Sequence, residues 1–127
     1  MTSKYTKYLV ALVICAVIAG CGGEDRKALR VGAKPFAESL ILAEMIAQMA
    51  ENEGIPVERS IPFGLTSKVM EALKQDVLDV YPEYNGTSLT FLGQAPSSDG
   101  DASTARVAEL FAPLGLEMTG KFGFSND

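Results

Sequence analysis

LRVGAKPFAESLILAEMIAQMAENEGIPVERSI, residues 29–61, holds a strand, a helix and a second strand together with the residues that separate them. Leu29 to Ala33 is brief and apolar enough for a strand, and Gly32 leaves room for the close approach of another segment. Lys34-Pro35 ends it, because proline disfavours helical geometry at the residue before it while fitting the first turn of a helix itself. From Phe36 to Glu53 the pattern is helical: Leu42, Met45, Ile46 and Met49 fall on one face, while Glu44, Gln48 and Glu51 mark another. The methionines read as core filler. Gly54 supplies a left-handed stop and Pro56 prevents continuation. Val57 to Ile61 then predicts a second strand, with Glu58 and Arg59 solvated.

Toward the C-terminus the alternation continues. Pro62 to Leu65 predicts a turn, and the hydroxyl of Thr66 or Ser67 is placed to cap a helix that runs to about Gln75 with Val69, Ala72 and Leu73 inward. The exposed donors at that helix start suit an anion, but Gly64-Leu65-Thr66-Ser67-Lys68 lacks the spacing of a phosphate loop. Val77 to Tyr81 predicts a third strand, ended by Pro82. Strands alternating with helices in the order βαβαβ make this an α/β chain with a parallel sheet and right-handed crossovers. In such sheets ligands collect outside the carboxyl ends of the strands. Lys34 follows the first strand and Tyr84 the third, so both are expected on the same edge. Beyond them Ser88 to Leu92 makes one or two helical turns, Gly93 to Asp101 a loop, and Ser103 caps a helix through Ala112. Leu116 to Met118 and Phe122 to Phe124 are candidate strands.

Toward the N-terminus the composition changes character. Lys4 and Lys7 precede an uncharged, apolar run from Tyr8 to Ala19, short for a membrane-spanning helix and suited to the core of a signal peptide. It ends in Ile18-Ala19-Gly20-Cys21, which resembles the lipobox of bacterial lipoproteins. The expectation is a signal peptide over 1–20, lipid on Cys21, a polar tether over 21–28 and one domain over 29–127. Two acyl chains on that cysteine would make a stable membrane anchor. No cysteine then remains for a disulfide, since Cys15 lies in the removed segment.

The bulk numbers narrow the function classes. With 127 residues the chain fits one domain. Without Lys4 and Lys7 it carries nine basic against sixteen acidic side chains, a net charge of −7. Such an acidic domain with no basic run is a poor partner for nucleic acid. Histidine is absent, which removes the commonest acid–base catalyst and the commonest zinc ligand. No metal site and no cofactor are expected. A hydrolase using Glu83 or Asp79 would lack any visible base–nucleophile pair.

YPEYNGT, residues 81–87, concentrates two tyrosines, a proline, a carboxylate and a turn directly after the third expected strand. An aromatic face attracts a cation through its quadrupole, most usefully a quaternary ammonium. A lysine at the same rim suits a carboxylate through a charge-assisted bond. Tyr84, Lys34 and Thr87 together therefore suit a small zwitterion, although lone tyrosines and lysines are mostly surface residues. Tyr81 is expected to pack under the loop, and Glu83 fits either orienting the loop or simple solvation. Asn85-Gly86-Thr87 is a glycosylation sequon by spacing, incidental in a bacterial lipoprotein.

RVGAKPFAESLILAEMIAQM, residues 30–49, followed by FGLTSKVMEALKQDVLDVYPEYNGT, residues 63–87, resembles the substrate-binding lipoproteins of osmoprotectant ABC importers. These are the glycine betaine, choline and carnitine binders of the OpuC and ProX type. The family pattern reads approximately GSKxFTEQxIL and then LGxTSxxxEALxxGxIDxYPEYTGT. The resemblance covers residues 30–87 well and the remainder loosely. It implies the first lobe of a two-lobed type II periplasmic-binding-protein fold, without enzymatic activity, that closes on its ligand and delivers it to a membrane permease. It implies a location at the cell envelope, facing the periplasm or the exterior. Tyr84 would be one wall of an aromatic cage, and Thr87 and Lys34 would help hold a ligand carboxylate. Ser39 stands where many members have glutamine, and Asn85 where they have threonine, so both are weaker ligand candidates. Family members are longer, and GKFGFSND at the end of this sequence resembles the crossing to their second lobe. The resemblance thus implies an N-terminal part whose partner lobe would complete the cage. Two rival readings are the same fold for another solute such as an amino acid, and a single-lobe interaction lipoprotein that binds no solute.

Overall fold

A computed structural model describes residues 27–123. The expected signal peptide, Cys21 and most of the tether lie outside the described residues, as do the last residues of the sequence. Strand β1 is Leu29–Gly32, helix α1 Ala37–Asn52, strand β2 Val57–Ser60 and helix α2 Thr66–Lys74. Helices α3, Asn85–Phe91, and α4, Gly100–Phe111, follow, and a 3-10 turn over Ala112–Leu114 continues from α4. Among the described residues, no helix is long and apolar enough to cross a membrane.

β1 and β2 pair in parallel, with Leu29 opposite Val57 and Gly32 opposite Ser60. The connection is α1, which starts from an extended Phe36 and ends at Glu53, with Gly54 in the left-handed region at φ 73° as its stop signal requires. The third expected strand is reduced to one parallel bridge, Val31 to Val80. The reason lies in its neighbours. The N–H groups of Val77 and Leu78 turn back to the Ala72 carbonyl at 2.8 and 3.2 Å, and Pro82 has no N–H to offer. Only the middle of the run reaches β1: Gly32 N–H donates to the Val80 carbonyl at 2.9 Å, and Asp79 and Val80 N–H groups donate to Arg30. β1 is therefore central, flanked by β2 on one side and by residues 79–80 on the other. The close approach expected at Gly32 is made by Leu78, whose Cδ1 would lie 2.5 Å from any Cβ added there.

Arg30 secures the same junction from outside. Its Nε and Nη2 donate to the two oxygens of Asp79 at 2.9 and 2.6 Å, its backbone N–H reaches Asp79 as well, and its Nη1 donates to the Asp76 carbonyl. These donors hold the Asp79 carboxyl down at about 2, the Arg30 side-chain bonds being the main cause. On the far side Arg59 of β2 bridges Glu44 and Glu51 of α1 at 3.0 and 2.7 Å.

The buried face of α1 is Ser39, Leu42, Ala43, Ala47 and Ala50, rotated by roughly a quarter turn from the expected one and sharing Leu42 with it. Met45 and Met49 are 51% and 68% exposed, so they are not core filler. Ala43 and Ala47 let the helix lie close on Val31 and Ala33, and a helix that packs on alanines turns its longer side chains outward. A second cluster joins Met70, Leu89, Val107 and Phe111, and a third joins Val69, Ala72 and Leu78, with Tyr81 packed against both.

Two caps differ from expectation. Neither Thr66 nor Ser67 caps α2, which starts from Leu65 with no side-chain bond. α4 starts earlier than expected, because Asp99 rather than Ser103 caps it, accepting from the N–H groups of Asp101 and Ala102 at 2.9 and 3.1 Å. Ser103 is buried inside that helix. Residues 116–118 and 122–123 are irregular, not strands.

Candidate functional site

The chain leaves β1 through Ala33 and turns sharply at Lys34-Pro35-Phe36. Phe36 N–H donates to the Lys34 carbonyl at 2.9 Å, and Lys34 N–H donates to Ser39 Oγ at 3.0 Å. Pro35 presets the turn, and the first turn of α1 supplies the acceptor that fixes it. Across the carboxyl end of the sheet, the segment after Val80 runs through Pro82 and Glu83 to Tyr84, whose extended backbone opens α3. Forty-nine positions separate Lys34 from Glu83, yet their side chains form an ion pair.

That pair is the centre of the site. The Lys34 and Glu83 side chains are only 4% and 7% exposed. Glu83 also accepts from the Tyr81 hydroxyl and from the Tyr84 N–H, each at 2.8 Å. Three donors converge on one carboxylate, which is what a charge needs if it is to be tolerated out of water. Burial, together with the adjacent Glu83 charge, pushes the Tyr81 phenol well above its ordinary range, so it acts as a neutral donor.

The Lys34 ammonium also lies 5.0 Å from the centre of the Tyr84 ring and 5.4 Å from that of Phe36, within cation–π range of both. The two rings are 5.8 Å apart at a 40° tilt. The Tyr84 hydroxyl donates to Glu38 Oε1, in the first turn of α1. The arrangement is therefore a pair of aromatic walls with a cation beneath them and a carboxylate at each end. It can orient and partly desolvate a small cation. It offers no nucleophile paired with a base, and no group of three or more metal-ligating side chains is gathered among the described residues.

Lys34, Tyr84, Asn85 and Thr87 all line one broad, open concavity, together with Phe36 and Tyr81. The sheet edge does bring Lys34 and Tyr84 together. Their circumstances differ from the sequence picture, however. Lys34 is enclosed and committed to Glu83. Asn85 turns its amide away, donating to Thr104 Oγ1 at 2.8 Å and so tying α3 to α4. Ser39 lies beneath the rim with no exposed surface, its hydroxyl taken by Lys34. Thr87 is exposed in the first turn of α3.

Three residues of the constellation had no assigned place in the sequence: Phe36, Glu38 and Glu83. Phe36 carried a signal, since an aromatic two positions after a strand-ending lysine must share that lysine's edge. Glu83 sits between the two tyrosines of YPEY, but nothing in the order of residues reveals a partner so far back in the chain.

A family model, two relatives and a solved structure point the same way. Residues 27–127 match the family model described as the substrate binding domain of ABC-type glycine betaine transport systems. The glycine-betaine-binding protein of Pseudomonas aeruginosa is 32% identical over 114 residues, which are 88% of this chain and 36% of that protein. Glycine betaine-binding protein YehZ of Escherichia coli is 35% identical over 63 residues, 50% of this chain and 21% of its own length. The solved structure of apo YehZ from the same species superposes with a TM-score of 0.63 at 27% identity, covering 68% of this chain and 32% of that one. The chain thus spans about a third or less of the length of these relatives. The family consists of substrate-binding proteins that do not catalyse. The family model spans most of the sequence, and its match shows the family: the chain belongs to the substrate-binding domains of ABC-type glycine betaine transport systems.

Proposed function

We propose that the protein is the solute-binding component of an ABC importer, taking up quaternary-ammonium osmoprotectants such as glycine betaine under osmotic stress. The observation that carries this reading is the Phe36–Tyr84 pair, with ring centres 5.8 Å apart and a cation already within 5.0 Å of one face and 5.4 Å of the other. A surface that stabilises an ammonium inside the chain has the electrostatics to stabilise one from solution. In this reading the unit is the first lobe of a type II periplasmic-binding-protein fold, β1 central and the rim at the carboxyl ends of the strands.

The remaining parts of the proposal rest on sequence. Lys4, Lys7, the apolar run to Ala19 and the lipobox-like ending at Cys21 support a lipid-anchored location at the cell envelope, facing the periplasm or the exterior. An ABC permease in the same membrane is the partner that receives the solute.

The test is a titration of the chain with glycine betaine and with tetramethylammonium chloride, following the ring resonances of Tyr84 and Phe36 by NMR. Weak but saturable shifts at both rings are expected for at least one probe, because the chain supplies one side of the cage, and their loss in Tyr84→Ala. Shifts spread over unrelated residues, or none at all, would remove the aromatic pair as the binding surface.

A further inference from the structure

The turn that carries Lys34 and Phe36 is fixed by a short set of bonds. The Ala33 carbonyl accepts from the N–H groups of Phe63 and Gly64 at 2.8 and 3.4 Å, and the Lys34 carbonyl accepts from the Phe36 N–H at 2.9 Å. Pro35 has no N–H to give. The Lys34 N–H remains, in a residue only 3% exposed, and its partner is the Ser39 hydroxyl at 3.0 Å. A buried backbone donor needs a partner, and here a side chain supplies it. Ser39 is the third residue of α1 and has no exposed surface of its own. Its oxygen sits one carbon from the backbone. It therefore meets the Lys34 N–H only while the turn lies close against the start of the helix. The longer glutamine of the family pattern imposes no such closeness.

We propose that Ser39 is a positioning residue of the rim: without touching the solute, it clamps the Lys34-Pro35-Phe36 turn and so sets the separation of the Phe36 and Tyr84 rings. The inference rests on the reading that these rings receive a quaternary ammonium, and concerns what holds them ready for it. Lys34 and Phe36 flank Pro35, whose ring fixes its own φ, so an anchor at the Lys34 N–H governs both side chains. One carries the ammonium that pairs with Glu83 and lies 5.0 Å from the centre of the Tyr84 ring. The other is the ring 5.8 Å from that same centre. Tyr84 is held by polar bonds, with Glu83 at its N–H and Glu38 at its hydroxyl. The Phe36 side chain has no polar group, so its place follows from the turn beneath it. A rim already ordered in the free protein spares the cost of ordering it on binding. Loosening the clamp then weakens binding although no contact with the solute is lost. With serine in place of glutamine, position 39 of this chain serves the solute through Phe36.

The experiment follows variants of the chain by NMR, with tetramethylammonium chloride as the probe. In Ser39→Ala the Lys34 amide should exchange with solvent about fivefold faster or more, the scale of one lost hydrogen bond. The Overhauser contacts between the Phe36 and Tyr84 rings should weaken. The tetramethylammonium midpoint read at those rings should rise about threefold, the scale of one side chain left to be ordered on binding. Ser39→Thr keeps the hydroxyl and should restore all three readouts. If its added methyl does not fit the buried site, Ser39→Cys, similar in shape but a weaker acceptor, should fall between wild type and Ser39→Ala. Ala47→Gly weakens α1 about two turns further on, and should lower stability while the ring contacts and the midpoint stay as in wild type. Unchanged ring contacts and midpoint in Ser39→Ala, or the same losses in Ala47→Gly, overturn the assignment of Ser39 while Tyr84→Ala still abolishes the Phe36 shifts. If Tyr84→Ala leaves those shifts in place, or if the probe produces none in wild type, the aromatic reading falls and the inference with it.

Discussion

Removing the charge of Lys34 tests what holds the rim together. In Lys34→Met the side chain keeps its length and apolar stem but loses the ammonium that pairs with Glu83 and lies 5.0 Å from Tyr84 and 5.4 Å from Phe36. Glu83 would then keep two donors, the Tyr81 hydroxyl and the Tyr84 N–H, with no counter-ion and a side chain 7% exposed. Breaking one member of a buried pair costs about 3–5 kcal/mol, and loss of the cation–π contacts adds roughly 0.5–2 kcal/mol. Glu83→Gln leaves the complementary problem, a buried ammonium without its carboxylate, although the amide oxygen can still accept from Tyr81 and Tyr84. The double variant has no unpaired charge and should be less destabilised than the sum of the two, by roughly 1–3 kcal/mol of coupling. Urea unfolding followed by far-UV circular dichroism gives all four corners of the cycle. A single-variant loss below about 1 kcal/mol, or strict additivity, would refute the argument that this pair is buried and mutually dependent, since exposed pairs behave in that way.

Four further outcomes follow from the geometry. Gly32→Ala should lose roughly 1–3 kcal/mol in urea unfolding, because the new Cβ would meet the Cδ1 of buried Leu78 at 2.5 Å and force that side chain to repack. Asp79, whose carboxyl is held at about 2 against an ordinary 3.8, contributes stability that is complete above the ordinary value and lost as pH falls toward the folded one. Asp79→Asn should therefore narrow the gap to wild type as urea melts are taken from neutral pH down through that window. Asn85→Ala should cost about 1 kcal/mol by removing the bond to Thr104 between α3 and α4, with tetramethylammonium shifts at Tyr84 unchanged if the amide is structural. Cys21→Ser should abolish incorporation of labelled palmitate when the full sequence is expressed in a bacterium, with persistent labelling refuting the anchor.

The parts of the fold that were legible in the sequence are those where the chemistry is local. Pro35, Gly54 and Pro56 bracket α1 because each acts on its own backbone or that of its neighbour, and the observed ends lie within a residue of the expected ones. The third strand was not legible in full. VLDVY has the same apolar pattern whether it makes a ladder or a single bridge, and the outcome depends on Val77 and Leu78 finding the Ala72 carbonyl. The buried face of α1 was misplaced for a related reason. A stripe through Met45 and Met49 and a stripe through Ala43 and Ala47 both have helical spacing, and only the closeness of helix to sheet chooses the alanines. At the site, topology put Lys34 and Tyr84 on one edge, which the structure bears out. It did not reveal that Glu83 would occupy Lys34, that Phe36 would face Tyr84, or that Glu38 would take the phenol. Those are distances of a few ångströms between side chains that the sequence keeps far apart.

The ion pair between Lys34 and Glu83 closes a loop of 49 positions. Closing so long a loop carries an entropic penalty of (3/2)RT ln n, which no partly folded chain recovers from one contact. The rim can therefore exist only after α1, β2 and α2 have found their places, since each lies within that loop, and after they have docked on β1, which leads into it. The aromatic pair is then a report on the completion of folding: a chain that has made its helices but not its sheet junction presents separate rings and a loose lysine. On the proposed reading, a chain that is still half made would capture no solute.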